Sequence, residues 1–419
     1  MPTHSSNQRF LGTVEMANGA FLDGLDFRPL ARNNYFIDGA ETNNAISGIG
    51  GIRYSEFAGN FAHEALIGYY IGGNRILAST DQGQSWNAIY GDPGSGIQDA
   101  QVDIVGGPVN GGSMLLVTGN GVYGVRGLNQ LQVDGGSSYT QATQALGGTL
   151  GDTSGGVNNY QPIRLAYDDV NGIFWACGRD ASDDLGISYK SDATAVDTTG
   201  GWTFDAIAAG NMAQAVAVGP GPSGSTVMIC VAGANTYFYA DGATPGTIST
   251  STNLQSILGA QAPGAQRQVV YNAFWKKWMI LGTSVSLDNA DGSSAVVFGP
   301  EAVGSSTASD YELRSPQVQT SMTSVTLQRN GGGVAVGPWC YFETDKGGSL
   351  SGILATPDMG KTWYHREFWA RDNNDLAYIT SMSKWDGRLV FACGSIADSF
   401  SALFATPRLE MPDAVSING

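Results

Sequence analysis

The sequence predicts an all-β chain folded as a single β-propeller, seven blades of four antiparallel strands closed by an N-terminal strand. Three observations predict it. The composition is that of many tight turns, an apolar phrase returns at roughly 50-residue intervals, and two near-identical octets sit on that rhythm.

The turns come first. Glycine supplies 59 of 419 residues, about twice the usual ~7% share. With the clusters of Asn, Asp, Ser and Thr, this is the punctuation of short strands joined by tight turns. Helical periodicity is nearly absent. Only Asn253 to Ala260 could make a turn or two of helix.

The repeat is a loop, then four or five apolar residues, then glycine. It reads Ala65-Leu66-Ile67-Gly68 (running on to Gly72), Leu115 to Gly119, Phe174 to Gly178 and Ile229 to Gly233. It returns as Met279 to Gly282, Val334 to Gly337 and Val390 to Gly394. From Gly72 the terminal glycines step by 47, 59, 55, 49, 55 and 57 residues. Such a period suits a blade of four short strands. The rhythm divides the chain into an arm and closing strand (1–44), a propeller (45–408) and a tail (409–419). The last repeat ends after Ser401 to Thr406 and lacks its final strand. An open edge invites a partner, and Arg9 to Glu15 is the expected donor.

The octets are Ser79-Thr80-Asp81-Gln82-Gly83-Gln84-Ser85-Trp86 and Thr356-Pro357-Asp358-Met359-Gly360-Lys361-Thr362-Trp363. In each, Asp can accept bonds from the amides of its own turn. Gly takes the positive-φ position, and Trp opens the next strand under the turn. The structural set is therefore Ser79, Asp81, Gly83, Trp86, Thr356, Asp358, Gly360 and Trp363. A degraded copy runs from Ser191-Asp192 to Gly201-Trp202.

These octets resemble the Asp-box, or BNR repeat, of sialidases and of many non-catalytic propellers. The resemblance implies boxes at the blade periphery, away from a central site. A sialidase-like member would carry three arginines, a Tyr–Glu pair, an Asp acid and a Phe/Tyr-Arg-Ile-Pro motif. Here Phe27-Arg28-Pro29-Leu30 lacks the Ile, and Gln161-Pro162-Ile163-Arg164 has the letters in another order.

No other catalytic pattern stands out. Paired carboxylates for glycoside hydrolysis could come from Asp168-Asp169, Asp183-Asp184 or Glu343 with Asp345, each at a turn or strand end where Asp serves turn chemistry. Asp288 to Gly292 starts like a calcium loop without the later Glu. Cys177, Cys230, Cys340 and Cys393 form no CxxC pair, and His4, His63 and His365 are scattered. No metal or cofactor is expected. Small buried strand residues account for Cys177, Cys230 and Cys393 better than disulfides do. The remaining resource is aromatic. Dense clusters make Trp275, Trp278, Trp339 and Trp369 candidate contacts for a protein or a sugar.

Charge and segments bound the partners. The net charge is −16 with only 14% charged residues, against about 25% in an average chain. That excludes a phosphate backbone as partner. No stretch of about 20 apolar residues could span a membrane, and the N-terminus does not read as a secretory leader. A leaderless, acidic, Lys-poor chain rich in Gly, Ser and Asn resembles bacteriophage virion and tail-associated BNR proteins. The expectation is a non-catalytic structural or interaction protein of the virion, its partners other virion subunits in a symmetric assembly. The alternatives are a glycan-binding or glycan-hydrolysing propeller and a cytoplasmic assembly scaffold.

Overall fold

The computed structural model describes residues 24–410. The longer exceptions are 92–102, 126–139, 147–160, 192–202, 287–294, 315–323 and 368–377, with several shorter ones. Its architecture is a β-propeller of antiparallel sheets. Sheet 1 holds Ile46–Ser55, Phe61–Tyr70, Arg75–Ser79 and Asn87–Gly91, with Thr140–Gln141 added in parallel on the outside. Sheet 2 holds Asp103–Gly107, Ser113–Thr118, Gly121–Val125 and Thr143–Leu146. Sheet 3 holds Gln161–Asp168, Ile173–Arg179, Leu185–Ser191 and Thr203–Ala208. Sheet 4 holds Ala213–Pro220, Thr226–Ala232, Thr236–Asp241 and Ser251–Asn253. Sheet 5 holds Gln266–Asn272, Lys277–Gly282, Ala295–Phe298 and Tyr311–Arg314. Sheet 6 holds Gly333–Val336, Trp339–Thr344, Gly352–Thr356 and Tyr364–Glu367. Sheet 7 holds Tyr378–Trp385, Arg388–Ser395 and Phe400–Ala405, completed by Arg28–Ala31.

The first strand of each sheet packs on the first strand of the next in chain order, and Tyr378–Trp385 packs back on Ile46–Ser55. The core therefore lies between sheets. Ile49, Leu66 and Leu77 of sheet 1 share one apolar cluster with Trp385, Val390 and Leu403 of sheet 7. Ser381 Oγ adds bonds of 3.2 Å to both the amide and the carbonyl of Ile49.

The apolar phrase marks the second strand of six sheets. In sheet 6 it marks the first strand, Gly333–Val336, because the second strand there ends on Glu343 and Thr344 without a glycine. The short helix is Leu254–Leu258, capped by the Asn253 side chain accepting from the Ser256 amide at 3.0 Å.

The closing strand is Arg28–Ala31, antiparallel to Phe400–Ala405 with Arg28 opposite Ala405. The expected donor, Arg9 to Glu15, lies outside the described residues. Closure from the N-terminal side is thus made by the segment that superficially resembles the arginine motif. Arg28 is exposed and pairs with Asp26. The segment before it is anchored too: the Tyr341 hydroxyl donates to the Gly24 carbonyl at 2.9 Å, and Leu25 and Phe27 pack against Phe391 and its neighbours. A Cβ on Gly24 would come within 2.2 Å of the Trp339 ring.

Five of the seven first strands carry a bulge near their start, at 46/48, 162/164, 213/215, 266/268 and 379/381. A bulge bends the strand and re-aims the following side chain. Three of the residues that follow it are polar: Arg164, Gln268 and Ser381. All three bond to another sheet.

Candidate functional site

Both octets fold into the same turn between the third and fourth strands of their sheets. Asp81 Oδ1 accepts from the Ser79 hydroxyl and the Ser85 amide, both at 2.9 Å, and the Gly83 amide donates to Ser79 Oγ at 2.8 Å. Asp358 Oδ1 accepts from the Lys361 amide at 3.0 Å and the Thr362 amide at 2.8 Å, while the Gly360 amide donates to Thr356 Oγ1 at 2.7 Å. Gly83 and Gly360 sit at φ 77° and 83°, where a side chain would be strained. Trp86 and Trp363 are buried and donate back to the Gly83 and Gly360 carbonyls at 3.1 and 2.9 Å. The defining Ser/Thr, Asp, Gly and Trp of each motif are thus bonded within their own turn. The degraded copy at 191–202 falls largely outside the described residues.

The four candidate tryptophans separate. Trp278 and Trp339 are corrected as contacts, since both are fully buried. Trp278 donates to the Pro220 carbonyl at 2.9 Å between sheets 4 and 5. Trp339 stacks on Tyr341 at 5.8 Å beneath Gly24. Each lies on a second strand, flanked by a sheet on either side, so alternation leaves it no route to solvent. Trp369 lies outside the described residues. Trp275 remains, 37% exposed, with Phe274 beside it at 43%. The two rings meet edge to face at 5.0 Å on the turn between the first two strands of sheet 5. Trp275 Nε1 donates to the carbonyls of Pro338 (2.9 Å) and Pro357 (3.1 Å), and its amide donates to Asn272 Oδ1 at 3.1 Å. The knuckle is therefore fixed to sheet 6 while presenting its aromatic surface outward. Val170, 73% exposed, occupies the equivalent turn of sheet 3.

The carboxylates fall into two kinds. Asp168 is a turn residue: it accepts from the amides of Val170 and Asn171 and from Thr226 Oγ1 of sheet 4 at 2.9 Å. Glu343 is not a turn residue at all. It lies buried in the second strand of sheet 6 and pairs at 2.9 Å with Arg164 of sheet 3. Sheets 4 and 5 separate these partners along one arc of the packing order, so the bond reaches across the centre. Asp103 of sheet 2 is the third member, accepting from the Leu165 amide at 2.9 Å. Gln268 of sheet 5 donates to the Glu343 carbonyl at 2.8 Å. Burial pushes the Glu343 carboxyl up to about 7. Arg164 and the Gly332 amide oppose that rise and Asp103 reinforces it. Asp103 is raised as well, by burial against the pull of Arg164.

This convergence escapes sequence reading because Arg164 and Glu343 stand 179 residues apart. The available signal was scarcity. In a chain this poor in charge, Glu343 ends the run Trp339-Cys340-Tyr341-Phe342, and Arg164 interrupts Ile163-Leu165-Ala166.

Cys177 and Cys230 are buried free thiols on neighbouring sheets 3 and 4, as is Cys340 in sheet 6. Among the described residues no group of three metal-ligating side chains gathers, and no described helix is long and apolar enough to cross a membrane. Asp183, Asp184, Asp345 and Asp288 to Gly292 lie outside the described residues.

No family model matches the chain, and no curated protein matches it in sequence. Solved structures of similar shape include the β-propeller domain of Cps50 (Swd1) from Myceliophteria thermophila. It has a TM-score of 0.49 and 9% identity, covering 85% of this chain and 96% of that one. U3-55K gives 0.49 and 8%, covering 91% and 98%. YCF48 bound to a D1 peptide gives 0.43 and 12%, covering 88% and 94%. Likeness at this level assigns no family, and the propeller is read from the sheets and their packing order.

Proposed function

We propose that this chain is a non-catalytic interaction protein of a bacteriophage particle, docking to neighbouring subunits through the rim that carries Phe274 and Trp275. The observation that carries this reading is the aromatic knuckle. An exposed Trp275 ring already held by two hydrogen bonds from its indole nitrogen, with Phe274 edge to face against it, loses little conformational freedom on binding, which is what an interface anchor requires. Of the candidate carboxylates, two that the structure describes are otherwise committed, Asp168 to its turn and Glu343 to Arg164. Location in the virion is supported by composition: low charge, abundant Gly and Ser, and a net charge of −16. Repeated copies in a symmetric assembly would multiply a modest contact.

Mass spectrometry of purified particles tests this, with Phe274→Asp as the variant because the Phe274 ring is exposed. The chain should be present in particles. The substitution should lower its occupancy at least tenfold, about 1.4 kcal/mol of contact energy, with the melting midpoint unchanged. Absence from particles, or turnover of a glycoside panel by the pure protein, would move the assignment to a glycan-active propeller.

A further inference from the structure

We propose that Arg164, Glu343 and Asp103 form a proton-operated latch across the centre of the propeller, loosened when Glu343 gives up its proton. The geometry carries it. Arg164 follows a bulge in the first strand of sheet 3, which re-aims its side chain to a carboxylate on non-adjacent sheet 6. Asp103 faces the same guanidinium from sheet 2, and sheet 5 contributes the neutral amide of Gln268. Among the described residues the charged groups acting on Glu343 are Arg164 and Asp103. One cation thus serves two carboxylates. With Glu343 protonated the cluster is neutral, and with Glu343 ionised it holds one surplus negative charge out of water. Glu343 Oε1 is buried without a hydrogen-bond partner, so Arg164 and the Gly332 amide offset that charge only in part. Removing a carboxylate from water without enough compensating bonds favours its neutral form.

The direction of the switch follows by linkage. The folded carboxyl titrates near 7, above the ordinary value of about 4.3 that it regains when exposed. Between those values the closed state holds a proton that the opened state releases. The latch is therefore tightest in acid, weakens as pH rises toward 7, and is constant above that.

The test is urea unfolding of the full chain at pH 5, 6, 7 and 8, comparing the wild type with Glu343→Gln, which keeps shape and removes titration. Groups that titrate elsewhere cancel in the difference. The wild-type unfolding constant should rise at least tenfold relative to Glu343→Gln between pH 5 and 7.5. Parallel profiles would overturn the proposal. Should Glu343→Gln fail to fold, Asp103→Asn decides. By removing the like charge it should displace the wild-type pH dependence toward acid, and an unmoved profile would overturn the proposal as well.

Discussion

Asp81 and Asp358 act at the scale of single hydrogen bonds. Each carboxylate accepts several donors of its own turn, and the buried tryptophan packs beneath it. Asp81→Ala or Asp358→Ala should therefore cost about 1–3 kcal/mol in chemical denaturation. Particle incorporation should fall no further than that loss explains. Trp278→Ala, by contrast, removes a fully buried ring and should cost about 3–5 kcal/mol. These turns were legible because every participant lies within eight consecutive residues. The fate of the tryptophans was not. A dense cluster such as Phe274 to Trp278 contains both an exposed turn and a buried strand, and only the hairpin's placement between sheets 4 and 6 separates Trp275 from Trp278. Glu343 does stand near a strand end, as the sequence suggests. Its partner could not be read because it arrives from another sheet.

At the scale of elements, local pattern announced the second strands and concealed the first. A second strand is covered on both faces and reads as an unbroken apolar run, as in Phe174 to Cys177 or Met279 to Leu281. Five of the seven first strands carry a bulge near the start, three of them followed by a polar residue, which breaks the alternation that sequence reading depends on. In sheet 6 the first strand carries no bulge and the second ends on Glu343 and Thr344 without a glycine, so the apolar phrase falls on the first strand there. The closing strand was expected from the truncated last repeat, and the structure supplies one at Arg28–Ala31. Truncation to residue 32 should thus lower the melting temperature sharply, by exposing the edge of Phe400–Ala405 and uncovering Trp339. Truncation to residue 24, which keeps that strand, should leave the protein more stable than truncation to residue 32. Equal midpoints for the two truncations would show that the strand contributes nothing. Gly24→Ala offers a gentler check: its Cβ would collide with the Trp339 ring, so it should destabilise by about 1–3 kcal/mol.

Over the whole molecule, the account rests on a ring. Among the described residues, seven sheets of four or five strands follow one another in chain order, the first strand of each packed on that of the next, and the last packs back on the first. Several bonds fasten the return: Ser381 to Ile49, the Asp386 amide to Glu64 Oε2 at 2.9 Å, and Arg28–Ala31 along the outer edge. Leu409 continues from the last strand to bond the Gly387 carbonyl at 2.7 Å. We propose that each of these sheets is one blade, which places the Arg164–Glu343 pair at the end where the first strands begin and the aromatic knuckle at the opposite end. A crystal structure of the full chain measures this directly. The account predicts seven sheets around one axis, Tyr378–Trp385 lying against Ile46–Ser55, and Arg164 meeting Glu343 across the centre. A different number of sheets, or a gap between the first and the last, would contradict it.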